Sequence, residues 1–279
     1  MIRILVFSLL IISSRFLIAQ TPDPQKILEE MVKSSKNVTT IRYHAVMNER
    51  INNKMVEKDS YFKINTNPLK IYVRQSFIGI KLDALYNQGF NNNQLYIATV
   101  GFPWIKLNFD PKGKQVRDNH HHTIFEAGFS YFTGIVDDII KLKNNKIKFQ
   151  YAGIEQRDGK NCHKIVVLID EFKFVPYTLK EGENISTVSE RLNINDYMVL
   201  ERNPEIDYYT DVKAGQVINI PNMYAKKMIL YIEPELMLPT QIELFDDKGL
   251  YAVYSYNKLV INKPFQWDEF HTTFKDYHF

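Results

Sequence analysis

From Thr40 onward the apolar residues of this chain fall at every second position. Ile41, Tyr43, Ala45 and Met47 alternate with Arg42, His44 and Asn48, the spacing of a strand with one buried face. Similar runs over 55–64, 70–75, 81–86, 94–98 and 105–109 are separated by Asn-Pro, Ile-Gly, Asn-rich and Gly-Phe-Pro turns. Runs over 147–155 and 160–170 make a hairpin through Arg157-Asp158-Gly159. Three more follow over 227–233, 238–245 and 250–260, the last two joined by a tight turn at Asp247-Lys248-Gly249. Connections this short dictate antiparallel neighbours, because a parallel crossover needs a dozen residues or more. The 17 Tyr and 18 Phe residues also favour strands.

Two helices interrupt the alternation. Asp23-Pro24 reads as a cap followed by proline at the first helical position, and Ile27, Leu28, Met31 and Val32 give the stripe of a short helix that stops near Lys36-Asn37. Thr123 and Glu126 predict a capping box, after which Phe125, Phe129, Phe132, Val136 and Ile139 share one helical face. So aromatic a stripe needs a large concave surface to cover it, and a curved sheet presents one. The expected fold class is α+β: a curved antiparallel sheet covered by helices.

Residues 177–221 break the pattern with strand, helix, helix and strand in close succession. Asn184 caps a helix carrying Ile185, Val188 and Leu192, Asn195 starts a second that ends at Asn203-Pro204, and Val217, Ile218 and Ile220 close the unit as a strand. With Tyr177-Thr178-Leu179-Lys180-x-Gly182 in front, Leu200-x-x-Asn203-Pro204 in the middle and Val212-Lys213-x-Gly215-Gln216-x-Ile218-x-Ile220-Pro221 behind, the unit resembles the LysM family. Glu183-Asn184 stands where that family usually has Asp-Thr, and Ser189 where it usually has alanine; Asn184 can still cap. The resemblance implies a shallow groove for N-acetylglucosamine-containing glycan such as peptidoglycan. Its walls would be Gly182, Glu183, Asn184 and Ile185 on one side and Asn203, Pro204, Glu205 and Ile206 on the other. A plainer reading keeps Gly182 and Asn203 as turn and cap residues only.

The chain's ending carries a second resemblance. Tyr231-Ile232-Glu233, Leu238-Pro239, Asp246-x-x-Gly249 and Tyr254-x-Tyr256, with Asn262 and Phe270 beyond, are similar to the closing strands of LolA-type lipoprotein carriers and RseB-type regulators. Asn67-Pro68-x-Lys70-Ile71-Tyr72 and the His121 to Gly128 block are similar to an uncharacterised bacterial envelope family of the same supposed fold. The implied organisation is a LolA-like half-barrel over 20–176 and 222–279, with the LysM-like unit inserted at 177–221.

Residues 1–19 read as a secretory signal peptide cut near Ala19: Arg3 precedes an apolar run and Arg15 interrupts it, so the mature chain is not expected to span a membrane. The implied address is the periplasm of a Gram-negative envelope. Removing Arg3 and Arg15 leaves 33 basic residues against 32 acidic, a balance with no electrostatic footprint for nucleic acid. The single cysteine, Cys162, has no disulfide partner and is expected in the sheet.

No catalytic residue, metal site or cofactor is expected. His120, His121 and His122 diverge and lack a further ligand at a recognisable spacing, so they are assigned to the approach to the helix. Cys162 and His163 face opposite sides of a strand, and Glu233 with Glu235 or Asp246 with Asp247 read as solvated turn carboxylates. The expected activity is therefore binding of peptidoglycan or a related glycan by the LysM-like unit. The alternative is a carrier or sensor of lipid or acylated protein, with Tyr43, Met47, Trp104, Phe125, Phe129 and Phe132 lining an apolar cavity. The same six residues are expected if the space is simply a packed core, which is the plainer reading.

Overall fold

The computed structural model describes residues 21–77 and 79–279. The signal segment expected at 1–19 lies outside the described residues. No described helix is long and apolar enough to cross a membrane.

The first described element is helix α1 (Pro24–Ser35), whose cap Asp23 accepts from Gln25 N at 3.0 Å. Six strands follow as a meander: β1 (Thr40–Ile51), β2 (Lys54–Thr66), β3 (Leu69–Phe77), β4 (Ile80–Asn87), β5 (Leu95–Thr99) and β6 (Lys106–Phe109). A cover segment holds the one-turn helix α2 (Lys114–Arg117) and leads into α3 (Ser130–Lys141). Then come β7 (Ile147–Arg157), β8 (Lys160–Ile169) and β9 (Phe174–Thr178), helices α4 (Ile185–Leu192) and α5 (Asp196–Arg202), and β10 (Val217–Pro221). Strands β11 (Lys227–Glu233), β12 (Leu238–Asp246) and β13 (Gly249–Ile261) end the regular structure.

All strands but β9 and β10 form one antiparallel sheet, ordered β6-β5-β4-β3-β2-β1-β13-β12-β11-β8-β7. The edges β6 and β7 do not pair, so the sheet is an open half-barrel. Its register follows the period-two pattern: Tyr43 lies opposite Phe62 on β2, and Met47 opposite Tyr254 on β13. The apolar alternates on the concave side, from Leu95 on β5 to Ile165 and Val167 on β8, join one core with the helices. Helices α1 and α3 lie over the β7–β12 half, tied to each other where Ser35 Oγ donates to Thr133 Oγ1 at 2.8 Å. Residues 265–279 cross the opposite face, where Tyr277 stacks on Tyr72 at 3.7 Å and Glu269 pairs with Arg42 and Lys63.

The helix expected from Thr123 begins later. Thr123 takes no backbone amide; its hydroxyl donates to Glu126 Oε1 at 3.2 Å beside a single 3-10 turn over Ile124–Glu126. Gly128, at φ +88°, breaks the path before α3 starts at Ser130. The capping-box residues are present, but a left-handed glycine two residues on prevents the turn from propagating. Phe125 is therefore off the helix.

Between β9 and β10, which pair antiparallel with Tyr177 opposite Ile218, helices α4 and α5 enclose a second core. Leu179, Ile185, Val188, Ile194, Val199 and Ile218 are among its buried members. Asn184 caps α4 by accepting from Thr187 N, and the Thr187 hydroxyl accepts from Asn184 N, both at 2.9 Å. One flank of α5 belongs elsewhere: Tyr197 and Met198 are buried in the main core. This βααβ unit is thus docked onto the half-barrel by its second helix.

Candidate functional site

The two halves of the concave face are covered differently. Over β1 to β5 the cover is the irregular segment around α2 and the 3-10 turn, and beneath it lies a cavity of about 350 Å³. Period-two alternation builds its floor. Tyr43, Ala45, Met47 and Glu49 project from β1 in sequence, joined by Phe62 from β2, Val73 and Gln75 from β3, Leu82 and Ala84 from β4, and Leu95 and Ile97 from β5. Phe132 of α3 and Tyr254 and Tyr256 of β13 close one side. Such a volume is at the low end of small-molecule sites and far above the gaps of a packed interior.

One end of the cavity is polar. Glu49 continues the inward series of β1, and Lys58 is its diagonal neighbour on β2, since Met47 is the residue opposite Lys58. The Lys58 ammonium is fully buried and donates to Glu49 Oε2 and to Asn119 O. Glu49 also accepts from the Tyr254 hydroxyl at 2.9 Å. Burial pushes the Glu49 carboxyl up, but His121, once protonated in acid, and the Lys58 ammonium outweigh it and hold the group well below the usual carboxylate range. Burial lowers His120 to about 4 and His121 to about 3, so both imidazoles are neutral at pH 7 and Lys58 is the standing counter-charge.

These tautomers decide what the polar end can do. His120 Nδ1 lies 3.2 Å from the Lys58 ammonium, which has no lone pair, so Nδ1 accepts and the ring proton sits on Nε2; the Gln75 side-chain nitrogen 3.5 Å away is also a donor and does not take that proton. His120 therefore offers the cavity a donor, not a base. His121 is stacked between Tyr251 and Tyr197, at 4.2 and 4.7 Å, and donates from Nε2 to Arg50 O at 2.8 Å. His122 pairs with Glu126 at 2.5 Å. The three histidines thus carry the cover segment onto the sheet.

The βααβ unit holds that cover from outside. Arg117 of α2, 3% exposed, makes a bidentate pair with Asp196 at 2.9 Å on both arms, and its guanidinium lies 3.8 Å over the Tyr209 ring. Arg50 is shared between Glu201 of α5 and Asp246 of β12. The Tyr251 hydroxyl donates to Asn195 Oδ1 at 2.7 Å.

Of the six residues expected to line a cavity, Tyr43, Met47 and Phe132 do so. Phe129 is buried beside Tyr43 and Tyr256, and Phe125 packs edge-on against Tyr86. Trp104 is a correction: it is 73% exposed on the β5–β6 turn. The expected glycan walls also separate. Ile185 and Ile206 are buried in the small core and have no face left for a sugar. Asn203 is 1% exposed, its amide donating to Val199 O and Asn219 O and accepting from Asn219 N, as a cap does. Glu183 is held by the Tyr177 hydroxyl, Lys180 N and Arg191, and Asn184 by its capping role, while Gly182, Pro204 and Glu205 stay exposed.

The turn carboxylates read as solvated are partly a second correction. Glu233 is buried and accepts from Glu235 N and Leu236 N, and buried Asp246 is taken by Arg50. Cys162 is fully buried beside Thr240, whereas His163 meets Tyr151. Sequence reasoning missed Glu49, Lys58 and Gln75. The signal was present, since each is a polar residue at an inward position of an otherwise apolar alternation.

The family described as protein of unknown function (DUF1571) matches residues 40–173, from the start of β1 to the residue before β9. No curated protein matches the chain. Among solved structures, a chain of the Pseudomonas aeruginosa MucA/MucB complex is 9% identical over 89% of this chain and 60% of its own, with a TM-score of 0.42. Mycobacterium tuberculosis lipoprotein LppX is 13% identical over 88% of this chain and 99% of its own, also at 0.42. A LolA superfamily protein from Nitrosomonas europaea is 8% identical over 87% and 95%, at 0.26. This chain spans less than two thirds of the MucA/MucB chain it matches.

Proposed function

We propose that this protein binds the acyl chain of a lipid or acylated protein in its concave cavity, as a carrier or sensor, and leaves it chemically unaltered. The observation that carries the reading is the apolar cavity of about 350 Å³ under the half-barrel. At about 30 Å³ for a group the size of a water molecule, it holds roughly a dozen such groups. Each methylene moved there from water contributes roughly 0.8 kcal/mol. The polar end sets the head apart from the tail: His120 supplies an N–H, Gln75 an amide, and Glu49 is already neutralised by Lys58. With Glu49 paired to Lys58 and the His120 lone pair turned to the same ammonium, the site orients a ligand and neither group is left as a free base.

Native mass spectrometry of protein purified from its own envelope tests the proposal, with a co-purifying lipid as the expected result. Protein that is ligand-free and takes up no fluorescent fatty acid would overturn it.

A second reading, glycan binding by a LysM-like unit over 177–221, is favoured by that unit's separate core. On this reading the contact surface is the exposed rim of Gly182, Pro204 and Glu205. Sedimentation with purified peptidoglycan, lost on Pro204→Asp with Glu205→Arg, is the expected result. Equal sedimentation of wild type and variant, or none of either, removes the reading.

A further inference from the structure

The cavity wall continues beyond the cavity as an uncovered apolar strip. Strand β4 starts and β5 ends at neighbouring turns, because Thr99 lies opposite Leu82 and Val100 N donates to Lys81 O at 2.8 Å. Ile97 lies opposite Leu107 on β6, so Leu107 shares the concave face of the lining residues Ile97 and Leu82. Alternation puts Ile80 and Ile105 on that face too. Beyond them the β5–β6 turn presents Phe102, 84% exposed, and Trp104, with their rings 5.6 Å apart edge to face. Residues 79–82 and 99–108 contain two lysines, Lys81 and Lys106, both exposed, and no carboxylate.

Exposed apolar side chains gathered in this way mark an interaction surface rather than scattered surface residues. Their chemistry decides which kind. Phe102 and Trp104 stand on the β5–β6 turn, with Ile80, Ile105 and Leu107 at the strand ends beside it, and a Trp–Phe pair bordered by lysines matches the layered chemistry of an anionic membrane interface. We propose that these turns seat the protein on an anionic lipid bilayer. Phe102 and Trp104 enter the headgroup layer, Lys81 and Lys106 lie against lipid phosphates, and the strip of Ile80, Ile105 and Leu107 leads toward the cavity. This goes beyond acyl-chain binding and holds whether or not the cavity carries a ligand.

Tryptophan fluorescence tests it, because Trp104 and Trp267 are the two tryptophans of the chain. In a Trp267→Phe variant, vesicles of phosphatidylglycerol and phosphatidylcholine should shift Trp104 emission to the blue, and brominated acyl chains should quench it. Phe102→Asp with Ile105→Asp in that background should weaken vesicle partition at least tenfold, roughly. Lys81→Glu with Lys106→Glu should abolish the preference over pure phosphatidylcholine. Unchanged uptake of a fluorescent fatty acid and an unchanged circular dichroism spectrum show that the variants fold, and separate this result from the fate of the cavity proposal. Trp104 emission unmoved by either vesicle, or partition unaffected by the two aspartates, would overturn it. A Trp104 that ignores vesicles but is shielded in a protein complex gives the surface to a protein partner and overturns it equally.

Discussion

The two halves of the concave face begin from the same alternating strands and end differently. Over β7, β8, β11 and β12, helices α1 and α3 bury Ile27, Leu28, Met31, Val32, Ile135 and Ile139 almost completely. Over β1 to β5 the lid is a segment with one helical turn, one 3-10 turn and several polar side chains, and about 350 Å³ stays open beneath it. A regular helix presents close-set ridges that interdigitate with a sheet. An irregular lid spends its residues on its own hydrogen bonds and on pairs such as Arg117–Asp196. The difference teaches that the cavity belongs to the cover, not to the strands below it.

The largest effect expected is on the lid's anchor. Asp196→Ala strands the buried Arg117 guanidinium and should cost about 3–5 kcal/mol in urea unfolding. A cost near zero would show that the βααβ unit does not hold the lid. Next, Leu28→Ala in the filled half should cost about 2–5 kcal/mol without altering fatty-acid uptake, whereas Met47→Ala at the cavity should cost about 1 kcal/mol, because its side chain borders space already open. Equal costs would erase the contrast between the halves. Ala84→Phe, pointing into the cavity, should lower affinity for a fluorescent fatty acid about tenfold, or roughly 1.4 kcal/mol, with little change in stability.

The last effect is with pH. His120 and His121 titrate at about 4 and about 3 when folded, but near about 6.5 when unfolded. The unfolded chain therefore binds more protons between those values. Stability is full above about pH 6.5 and falls as the pH drops toward 4, by about 2 kcal/mol for each histidine at pH 5. Glu49 and Asp83, both held below the usual carboxylate range when folded, add a further loss as the pH falls below about 4. Ring-carbon NMR shifts at pH 5.5 should show both imidazoles neutral; a protonated His121 would break the account of the lid.

Much of the architecture was legible because it is local. The runs over 55–64 and 227–233 lie within β2 and β11, since a period of two permits one element only. Asn184 and Asn195 cap the helices they precede, their amides accepting from Thr187 N and Met198 N. The helix start was misread because Thr123-x-x-Glu126 has the local chemistry of a cap while Gly128 decides the chain's path. The site was less legible. Trp104 looked like a lining residue because an aromatic in a strand-rich chain is usually buried, yet its turn lies past the last covered residue. Lys58 stands at an inward position of its strand, but the partners that make burial of its charge tolerable, Glu49 and Asn119, come from elsewhere in the chain.

By itself the sequence determined the strands, most of the helices and the order in which antiparallel neighbours follow, because hydrophobic periodicity, caps and turn residues act over a few positions. Tertiary structure alone decided that β1 would pair with β13, that α5 would divide its faces between two cores, and that the lid would stop short of the floor. The physical reason is that an empty space has no residue of its own. It is what remains when distant segments have satisfied their own contacts, and no window of sequence contains it.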